Sequence, residues 1–123
     1  MSQSTTKKIM IIDDEEGVRE SLKLILGDQY DLIVAENGEA ALEILRNAKD
    51  VGVALMDIKM PRRDGLSILK QMHARHPRLK IIMVTGYKSV ETAQEAVRLG
   101  ASGYIVKPFK AEEILSTVEK YVK

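Results

Sequence analysis

Four short apolar runs, each of four residues, are the feature of this sequence that most constrains its fold. Aliphatic residues dominate every run, and Gly, Asp or Asn residues adjoin them, a pattern typical of strands buried on both faces. A shorter fifth run over 104–106 follows a stretch that contains two glycines. The four runs are Ile9–Ile12, Leu32–Ala35, Val53–Met56 and Ile81–Val84. We therefore predict five strands, which begin near Lys8, Asp31, Gly52, Lys80 and Gly103.

The segments between these runs have apolar residues at every third or fourth position, as in amphipathic helices. Val18, Leu22 and Leu26 lie on one face of the first helix, and Gly27 follows it as a stop signal. The same spacing predicts four further helices around 41–48, 66–72, 90–100 and 114–122. Strands and helices are therefore expected to alternate along the chain.

Five strand–helix units in 123 residues imply a parallel sheet, because each return to the same edge needs a crossover connection. Right-handed crossovers place helices on both faces. We predict an α/β fold with a doubly wound five-stranded parallel sheet in the flavodoxin-like order 2-1-3-4-5, although periodicity alone does not distinguish this order from others. The polar residues 1–7 are predicted to be a flexible N-terminus, and residues 8–123 to form a single domain.

The composition argues against several classes of protein. Lys and Arg together number 19 and Asp and Glu 18, so the formal net charge of +1 gives little support for direct binding to nucleic acid or to an anionic membrane. Cysteine is absent, which excludes disulfide scaffolds, thiolate catalysis and Cys-based zinc sites and makes a reducing cytoplasm the expected location. A membrane span needs ~20 apolar residues and a signal peptide ~7–15. We expect neither, since no apolar run exceeds four residues.

The polar residues that follow the predicted strands point to one functional site. In an open parallel sheet, sites form outside the carboxyl ends of the strands, near the point where the strand order reverses. Asp13 and Asp14 follow strand 1 and Asp57 follows strand 3, on the two sides of that point. Thr85 follows strand 4 and Lys107 follows strand 5, so both are predicted to flank the three carboxylates.

The chemistry of these five residues indicates phosphoryl transfer. Three carboxylates in one crevice repel each other, and a hard divalent cation such as Mg²⁺ is their natural counter-charge. A lysine and a hydroxyl group suit a reaction that depends on positioning and charge neutralisation, and a carboxylate can be its nucleophile. Taken singly, each residue also has a structural explanation, such as a helix cap, a turn, a strand position or a solvated charge.

The motifs at these strand ends resemble those of response-regulator receiver domains in bacterial two-component signalling. The resemblance covers about residues 7–122, and each motif is weak by itself. Their occurrence in order, at the ends of four different strands, favours the chemical explanation over the structural ones. The motifs are Ile11–Glu15, Met56–Pro61 with Asp64–Gly65, Val84–Gly86, Gly100–Ala101 and Tyr104–Phe109.

The resemblance implies a role for each residue of the site. Asp57 would accept a phosphoryl group from a histidine kinase. Asp14 and Asp57 would bind Mg²⁺ directly, together with the backbone carbonyl of Lys59, and Asp13 would act through a water molecule. Lys107 would pair with one of the phosphoryl oxygens.

The resemblance also implies a conformational switch. Thr85 would hydrogen-bond another phosphoryl oxygen, and Tyr104 matches an aromatic residue that turns inward on activation. The change would reach the face formed by helix 4, strand 5 and helix 5. The peptide bond before Pro108 is expected to be cis. The domain would catalyse only its own phosphorylation and dephosphorylation.

The expected partners are a histidine kinase or phosphotransfer protein and an output domain or downstream protein. The output is often DNA binding and transcription regulation in this family, without direct nucleic-acid or membrane binding by the receiver itself. A monomer or a phosphorylation-dependent dimer is expected. A single-domain regulator and a receiver cut from a longer protein both remain open.

Three other functions fit the sequence less well. A flavodoxin needs a hydroxyl- and glycine-rich phosphate loop after strand 1, whereas the acidic run 13–16 would repel a flavin phosphate. A phosphatase with an Asp nucleophile after strand 1 would need an Asp-x-Asp motif there, which the sequence lacks. A receiver-like interaction module that is never phosphorylated is disfavoured by the complete residue set, and a phosphorylation assay is needed to exclude it.

Overall fold

The computed structural model describes residues 8–48, 50–60 and 64–122, in which five strands alternate with five helices. The strands are β1 (Lys8–Ile12), β2 (Leu32–Ala35), β3 (Val51–Met56), β4 (Lys80–Thr85) and β5 (Gly103–Val106). The helices are α1 (Glu16–Leu26), α2 (Gly38–Asn47), α3 (Gly65–Arg75), α4 (Val90–Arg98) and α5 (Ala111–Val122). None of these helices is long and apolar enough to cross a membrane. The predicted flexible segment 1–7 and the Pro61 end of the Met56–Pro61 motif lie outside the described residues.

The five strands form one parallel sheet in the order β2-β1-β3-β4-β5, which confirms the predicted arrangement. Each observed strand begins within one residue of its predicted start. The order reverses between β1 and β3, where Ile12 pairs with Met56. Further along the sheet, Thr85 of β4 pairs with Val106 of β5. The carboxyl ends of these four strands therefore meet at one edge of the sheet.

The strands are continuous apolar runs because helices cover both faces of the sheet. Met10 and Ile12 of β1 belong to a core cluster that includes α2 and α3. Ile9 and Ile11 alternate with them and belong to the opposite cluster, which includes α1 and α5. All four side chains are fully buried, and each contributes roughly 1.5–3 kcal/mol to folding.

Side-chain caps determine where three of the helices begin. Asn37, Asp64 and Ser89 accept hydrogen bonds from backbone amides in the first turns of α2, α3 and α4. Such caps are worth about 0.5–2 kcal/mol each. Glu15 precedes α1 without making a side-chain cap, and its carboxylate contacts Lys107 instead.

Two helix ends add detail that the sequence pattern did not provide. α1 ends at Leu26 as predicted, but Gly27 has a right-handed φ of −65°, so a left-handed glycine conformation is not what stops this helix. α4 ends at Arg98, two residues short of the predicted range, and Gly100 follows with a φ of 119°. A Cβ atom at Gly100 would also lie 2.7 Å from Cδ2 of His73. Glycine is therefore required at position 100 by both the backbone and this close contact.

Candidate functional site

The carboxyl ends of β1, β3, β4 and β5 border a cavity of about 680 Å³. Its walls are formed by residues that end or follow these four strands, at the place that the strand order predicts. The lining residues are Asp14, Glu15, Asp57, Lys59, Met60, Thr85, Gly86, Tyr87 and Lys107. Five of the seven site residues predicted from the sequence therefore line one cavity.

Three carboxylates converge beside this cavity. One oxygen from each of Asp13, Glu15 and Asp57 lies within 4.8 Å of the other two. Asp13 and Asp57 are 2% and 5% exposed, whereas Glu15 is largely exposed. Asp14 is exposed and lines the cavity but does not belong to this converging group. Because like charges at such distances repel each other, the site requires positive charge.

Lys107 supplies positive charge at the centre of the three carboxylates. Its Nζ donates hydrogen bonds to Asp57 Oδ2 at 2.9 Å and to Asp13 Oδ2 at 3.1 Å, and it lies 3.4 Å from Glu15 Oε1. Burial disfavours the ammonium ion, but the hydrogen bonds to Asp57 and Asp13 outweigh this effect and raise the pKa of Lys107. Lys107 is therefore charged at neutral pH. The peptide bond between Lys107 and Pro108 is cis, as the family resemblance led us to expect.

Asp13 joins the end of β1 to the start of α1. Its Oδ1 accepts a hydrogen bond from the Glu15 amide at 2.9 Å, and its carbonyl oxygen accepts one from Arg19 Nη1 at 2.8 Å. Burial raises the pKa of the Asp13 carboxyl, and the charge of Asp57 acts in the same direction. The bonds from the Glu15 amide and Lys107 oppose this rise without cancelling it. An ionised Asp13 therefore destabilises the folded chain when no metal is present.

We expect Asp13→Asn to increase the free energy of unfolding at pH 7 in the presence of a chelator, because the substitution removes the buried negative charge. The pKa of Asp13 is higher in the folded than in the unfolded chain, so the ionised carboxylate costs stability above the folded-state pKa. This cost disappears as the pH falls below the usual value of 3.8. Urea denaturation at pH 7 and at the lowest pH at which both proteins stay folded should show the gain shrinking with pH.

The matched control for this stability measurement is Asp28→Asn, at an exposed position in the turn after α1. It should change the free energy of unfolding by less than about 0.5 kcal/mol at either pH. If Asp13→Asn is less stable than the parent at pH 7, then the ion pair with Lys107 outweighs the cost of burying the carboxylate.

The loop after β3 fixes the carboxylate of Asp57. The Asp57 amide donates to the carbonyl oxygen of Ile12 at 3.3 Å, which joins the loop to β1. Asp57 Oδ1 accepts a hydrogen bond from the Lys59 amide at 3.2 Å, while Oδ2 is bonded to Lys107. Both carboxylate oxygens therefore have partners on the protein, and the Lys59 side chain remains exposed.

The two predicted switch residues, Thr85 and Tyr104, both contact the backbone of Tyr87. Thr85 is fully buried, and its Oγ1 accepts a hydrogen bond from the Tyr87 amide at 3.3 Å. The hydroxyl of Tyr104 donates to the Tyr87 carbonyl oxygen at 2.8 Å. Burial raises the pKa of Tyr104, and the charge of Asp57 adds to the rise. The loop after β4 thus connects the end of β4 with the aromatic side chain of β5.

The donor atoms at this site fit a hard divalent cation. The converging ligand atoms are carboxylate oxygens, which Mg²⁺ and Ca²⁺ prefer over nitrogen or sulfur. When the three carboxylates are ionised and Lys107 is charged, two negative charges remain without a counter-charge. Asp14 brings a further carboxylate to the cavity wall. The acidic cluster therefore fits a metal site.

The sequence predicted that Asp13, Asp14 and Asp57 would converge beside Lys107. The structure brings Asp13, Asp57 and Lys107 together, but it leaves Asp14 exposed and outside the converging group. The place of Asp14 is taken by Glu15, which the sequence reasoning did not identify, although the acidic run continues from Asp14 through Glu16. Tyr87 was also missed as the connection between the switch residues. No sequence signal was available there, because the contacts are made by backbone atoms that every residue has.

The chain is similar over most of its length to proteins of one family. The sequence model of the response regulator receiver domain matches residues 9–119. Regulatory protein AtoC of Escherichia coli (strain K12) is 40% identical over 114 residues, which is 92% of this chain and 24% of AtoC. The chain therefore spans about a quarter of the length of that relative.

Two further proteins match this chain over nearly their whole length. Sporulation initiation phosphotransferase F of Bacillus subtilis (strain 168) is 35% identical over 117 residues, which is 94% of each protein. The crystal structure of a CheY-like response regulator receiver domain protein from Methanospirillum hungatei JF-1 superposes with a TM-score of 0.90 at 33% identity. That match covers 95% of this chain and 94% of the other. The similarity in structure therefore extends over nearly the whole of both chains.

Proposed function

This chain belongs to the family of response regulator receiver domains, and from that membership we propose that Asp57 accepts a phosphoryl group from a histidine kinase or phosphotransfer protein. The domain is a phosphorylation-dependent signalling switch and not an enzyme that acts on a separate metabolite. The observation that carries the proposal for Asp57 is its placement. It lies buried at the end of β3, lines the cavity and has Oδ2 2.9 Å from Lys107 Nζ.

The proposed reaction moves the phosphoryl group from a histidine nitrogen of the donor to a carboxylate oxygen of Asp57. The nitrogen–phosphorus bond breaks as the oxygen–phosphorus bond forms, and the departing imidazole takes up a proton from solvent. Lys107 pairs with one phosphoryl oxygen, and the hydroxyl of Thr85 donates to another. Lys107 places a positive charge, and the Thr85 hydroxyl a hydrogen-bond dipole, where negative charge accumulates. Water then hydrolyses the aspartyl phosphate at a rate set by its access to phosphorus.

The cation proposed for this site is Mg²⁺. Asp14 and Asp57 would hold it directly with the carbonyl oxygen of Lys59, and Asp13 would act through a water molecule. When bound, Mg²⁺ neutralises negative charge on the phosphoryl oxygens. The oxygen donors of the cluster and its excess negative charge support a hard cation at this site, whereas the direct role of Asp14 rests on the family resemblance.

Intact-mass measurement after incubation with acetyl phosphate tests this function. With Mg²⁺ present, the protein should gain the mass of one phosphoryl group, and with a chelator it should gain none in the same time. A protein that stays unmodified with both donor and Mg²⁺ present would contradict the proposed function.

The output surface is proposed to be the face formed by α4, β5 and α5. Val90 and Val97 of α4 lie on the same side of the helix and are 67% and 60% exposed, so they present apolar surface to solvent. Tyr104 of β5 connects this face to the cavity through its bond to Tyr87. The face would contact an attached output domain, a downstream protein or a second phosphorylated copy. Transcription control is the class of output that the family membership favours.

We expect Thr85→Ala to accept phosphate but to lose most of the conformational response on the output surface. The substitution removes the hydroxyl that would bond a phosphoryl oxygen and that now bonds the Tyr87 amide. Amide chemical shifts of Tyr87 and Tyr104, recorded with and without phosphorylation, measure the response. Thr85→Ser keeps the hydroxyl and should restore most of it. If phosphorylation shifts the same amide signals in Thr85→Ala as in the parent, Thr85 does not take part in the switch.

The side chains of Lys59 and Tyr87 are expected to prolong the phosphorylated state. Both line the cavity, two residues beyond Asp57 and Thr85 respectively, and both are long enough to restrict water in line with the oxygen–phosphorus bond. Lys59→Ala and Tyr87→Ala should each speed decay of the phosphorylated protein about threefold to tenfold, since ~1 kcal/mol of barrier changes a rate about fivefold.

The decay rates of the two single variants and of the double variant test this shielding. The double variant should decay fastest if both side chains restrict the same water. Unchanged or slower decay in all three variants would mean that both side chains extend into bulk solvent. Ser67→Ala, an exposed substitution in α3, serves as a control and should decay like the parent protein.

A further inference from the structure

Helix α3 begins directly against the backbone that carries Asp57. The amide of Gly65, its first residue, donates to the carbonyl oxygen of Ile58 at 2.6 Å. Asp64 caps the helix, with Oδ1 accepting hydrogen bonds from Leu66 at 2.7 Å and from Ser67 at 3.1 Å. Gly65 is buried, and so is Ile58. The first turn of α3 therefore supports the loop that follows β3.

The contact leaves no room for a side chain at position 65. A Cβ atom there would lie 2.6 Å from Ile58 Cα and 2.9 Å from the Ile58 carbonyl oxygen, and closer still to the carbonyl oxygen of Asp57. Ordinary contacts between heavy atoms are about 3.5–4.0 Å long. All three neighbours are backbone atoms, so no side-chain rotation can relieve the overlap. Either the helix or the Asp57–Ile58 backbone would have to shift.

Two other glycines show that this restriction is local. Gly38 is also a buried first helical residue, and it follows the capping residue Asn37. A Cβ atom at Gly38 would overlap the fully buried side chain of Ile68 in α3, with Cδ1 at 2.7 Å and Cγ2 at 3.0 Å, so a substitution there would also press on α3. Gly17 in α1 has no atom within 4 Å of such a position. The glycines thus differ in whether an added methyl group meets backbone, side chain or open space.

We propose that Gly65 is a positioning residue for phosphoryl transfer to Asp57, an inference that rests on the proposed function of that aspartate. The missing side chain lets α3 hold the Asp57–Ile58 backbone where Asp57 Oδ2 lies 2.9 Å from Lys107 and Oδ1 lies 3.2 Å from the Lys59 amide. A methyl group would displace this backbone and misalign the nucleophile with Lys107. A misplacement of about 1 Å can slow a reaction about a hundredfold.

The experiment compares Gly65→Ala with Gly17→Ala, which adds the same group in the first turn of α1, where no atom lies within 4 Å of the added Cβ. Initial rates of phosphorylation by acetyl phosphate are measured with saturating Mg²⁺, at a temperature where circular dichroism shows each protein to be folded. Gly65→Ala should be about 10- to 100-fold slower than the parent, and Gly17→Ala should stay within about twofold. Amide chemical shifts of Asp57, Ile58 and Lys59 should move in Gly65→Ala and not in Gly17→Ala.

Three results would overturn the proposal: a folded Gly65→Ala protein that reacts at the parent rate, an equal loss in Gly17→Ala, or unmoved amide shifts of Asp57, Ile58 and Lys59. If Gly65→Ala does not fold, the phosphorylation rate of Asp64→Ala tests the proposal instead. Loss of the Asp64 cap loosens the start of α3 without adding atoms. A slower rate in Asp64→Ala supports the proposal, and an unchanged rate contradicts it. A parent protein that is itself never phosphorylated would contradict the function proposed for Asp57, whereas the amide shifts would still report on the placement of its backbone.

Discussion

Replacement of Asp57 by Asn is expected to abolish phosphorylation of this chain. The carboxylate lies buried beside the cavity and contacts Lys107, and an amide of the same size is a far weaker nucleophile. The Asn oxygen can still accept the hydrogen bond from Lys59, so the fold should be retained. We expect the rate to fall at least about a thousandfold, which corresponds to ~4 kcal/mol of activation free energy. Intact-mass analysis with acetyl phosphate and Mg²⁺ measures the loss.

The matched control is Asp64→Asn, which makes the same chemical change at the cap of α3. Because Asn and Asp cap helices about equally well, this variant should fold and be phosphorylated like the parent. If Asp57→Asn gains phosphate at the parent rate, the acceptor lies elsewhere and the role proposed for Asp57 is wrong. Peptide mapping of the phosphorylated protein would then locate the acceptor residue.

Asp14→Asn is expected to weaken Mg²⁺ binding by at least about tenfold, more than the same change at Asp13 or Glu15. Asp14 lies exposed on the cavity wall, and the family resemblance assigns it direct contact with the cation. Asp13 is buried and accepts hydrogen bonds from Lys107 and the Glu15 amide, and the family resemblance assigns it a contact with the cation through water. Titration with Mg²⁺, followed by amide chemical shifts, gives the affinity of each variant.

The comparison with Glu15→Gln is the most informative part of this titration. Glu15, and not Asp14, has a carboxylate oxygen that converges with those of Asp13 and Asp57. If Glu15→Gln weakens Mg²⁺ binding most, the converging group is the metal site and the assignment to Asp14 is wrong. If Asp14→Asn has the largest effect, the exposed Glu15 only adds negative charge near Lys107.

The strand boundaries could be predicted because a strand that is buried on both faces appears in the sequence as an uninterrupted apolar run. Alternate residues of a strand face opposite sides, so a strand covered by helices on both sides must be apolar at every position. Ile9–Ile12 shows this, with two side chains in each core cluster. The helix ends were predicted less closely, as at Arg98, because a turn depends on contacts that the local pattern does not contain.

The identities of the main site residues were also contained in the sequence. Residues that end parallel strands share one edge of the sheet, so Asp57 and Lys107 could be placed together once the strands were recognised. The family motifs then assigned their chemistry. Only the folded chain, however, shows that Lys107 contacts both Asp57 and Asp13, because these bonds join residues 50 and 94 positions apart.

The sequence by itself therefore determined the alternation of strands and helices and the residues at the strand ends. The tertiary structure decided the strand order, the entry of Glu15 into the acidic cluster and the connection through Tyr87. It also decided that Gly65 must lack a side chain. Periodicity and propensity report on the local environment of each residue. Strand order, shared electrostatics and backbone contacts between distant segments depend on how the elements pack, which no local pattern encodes.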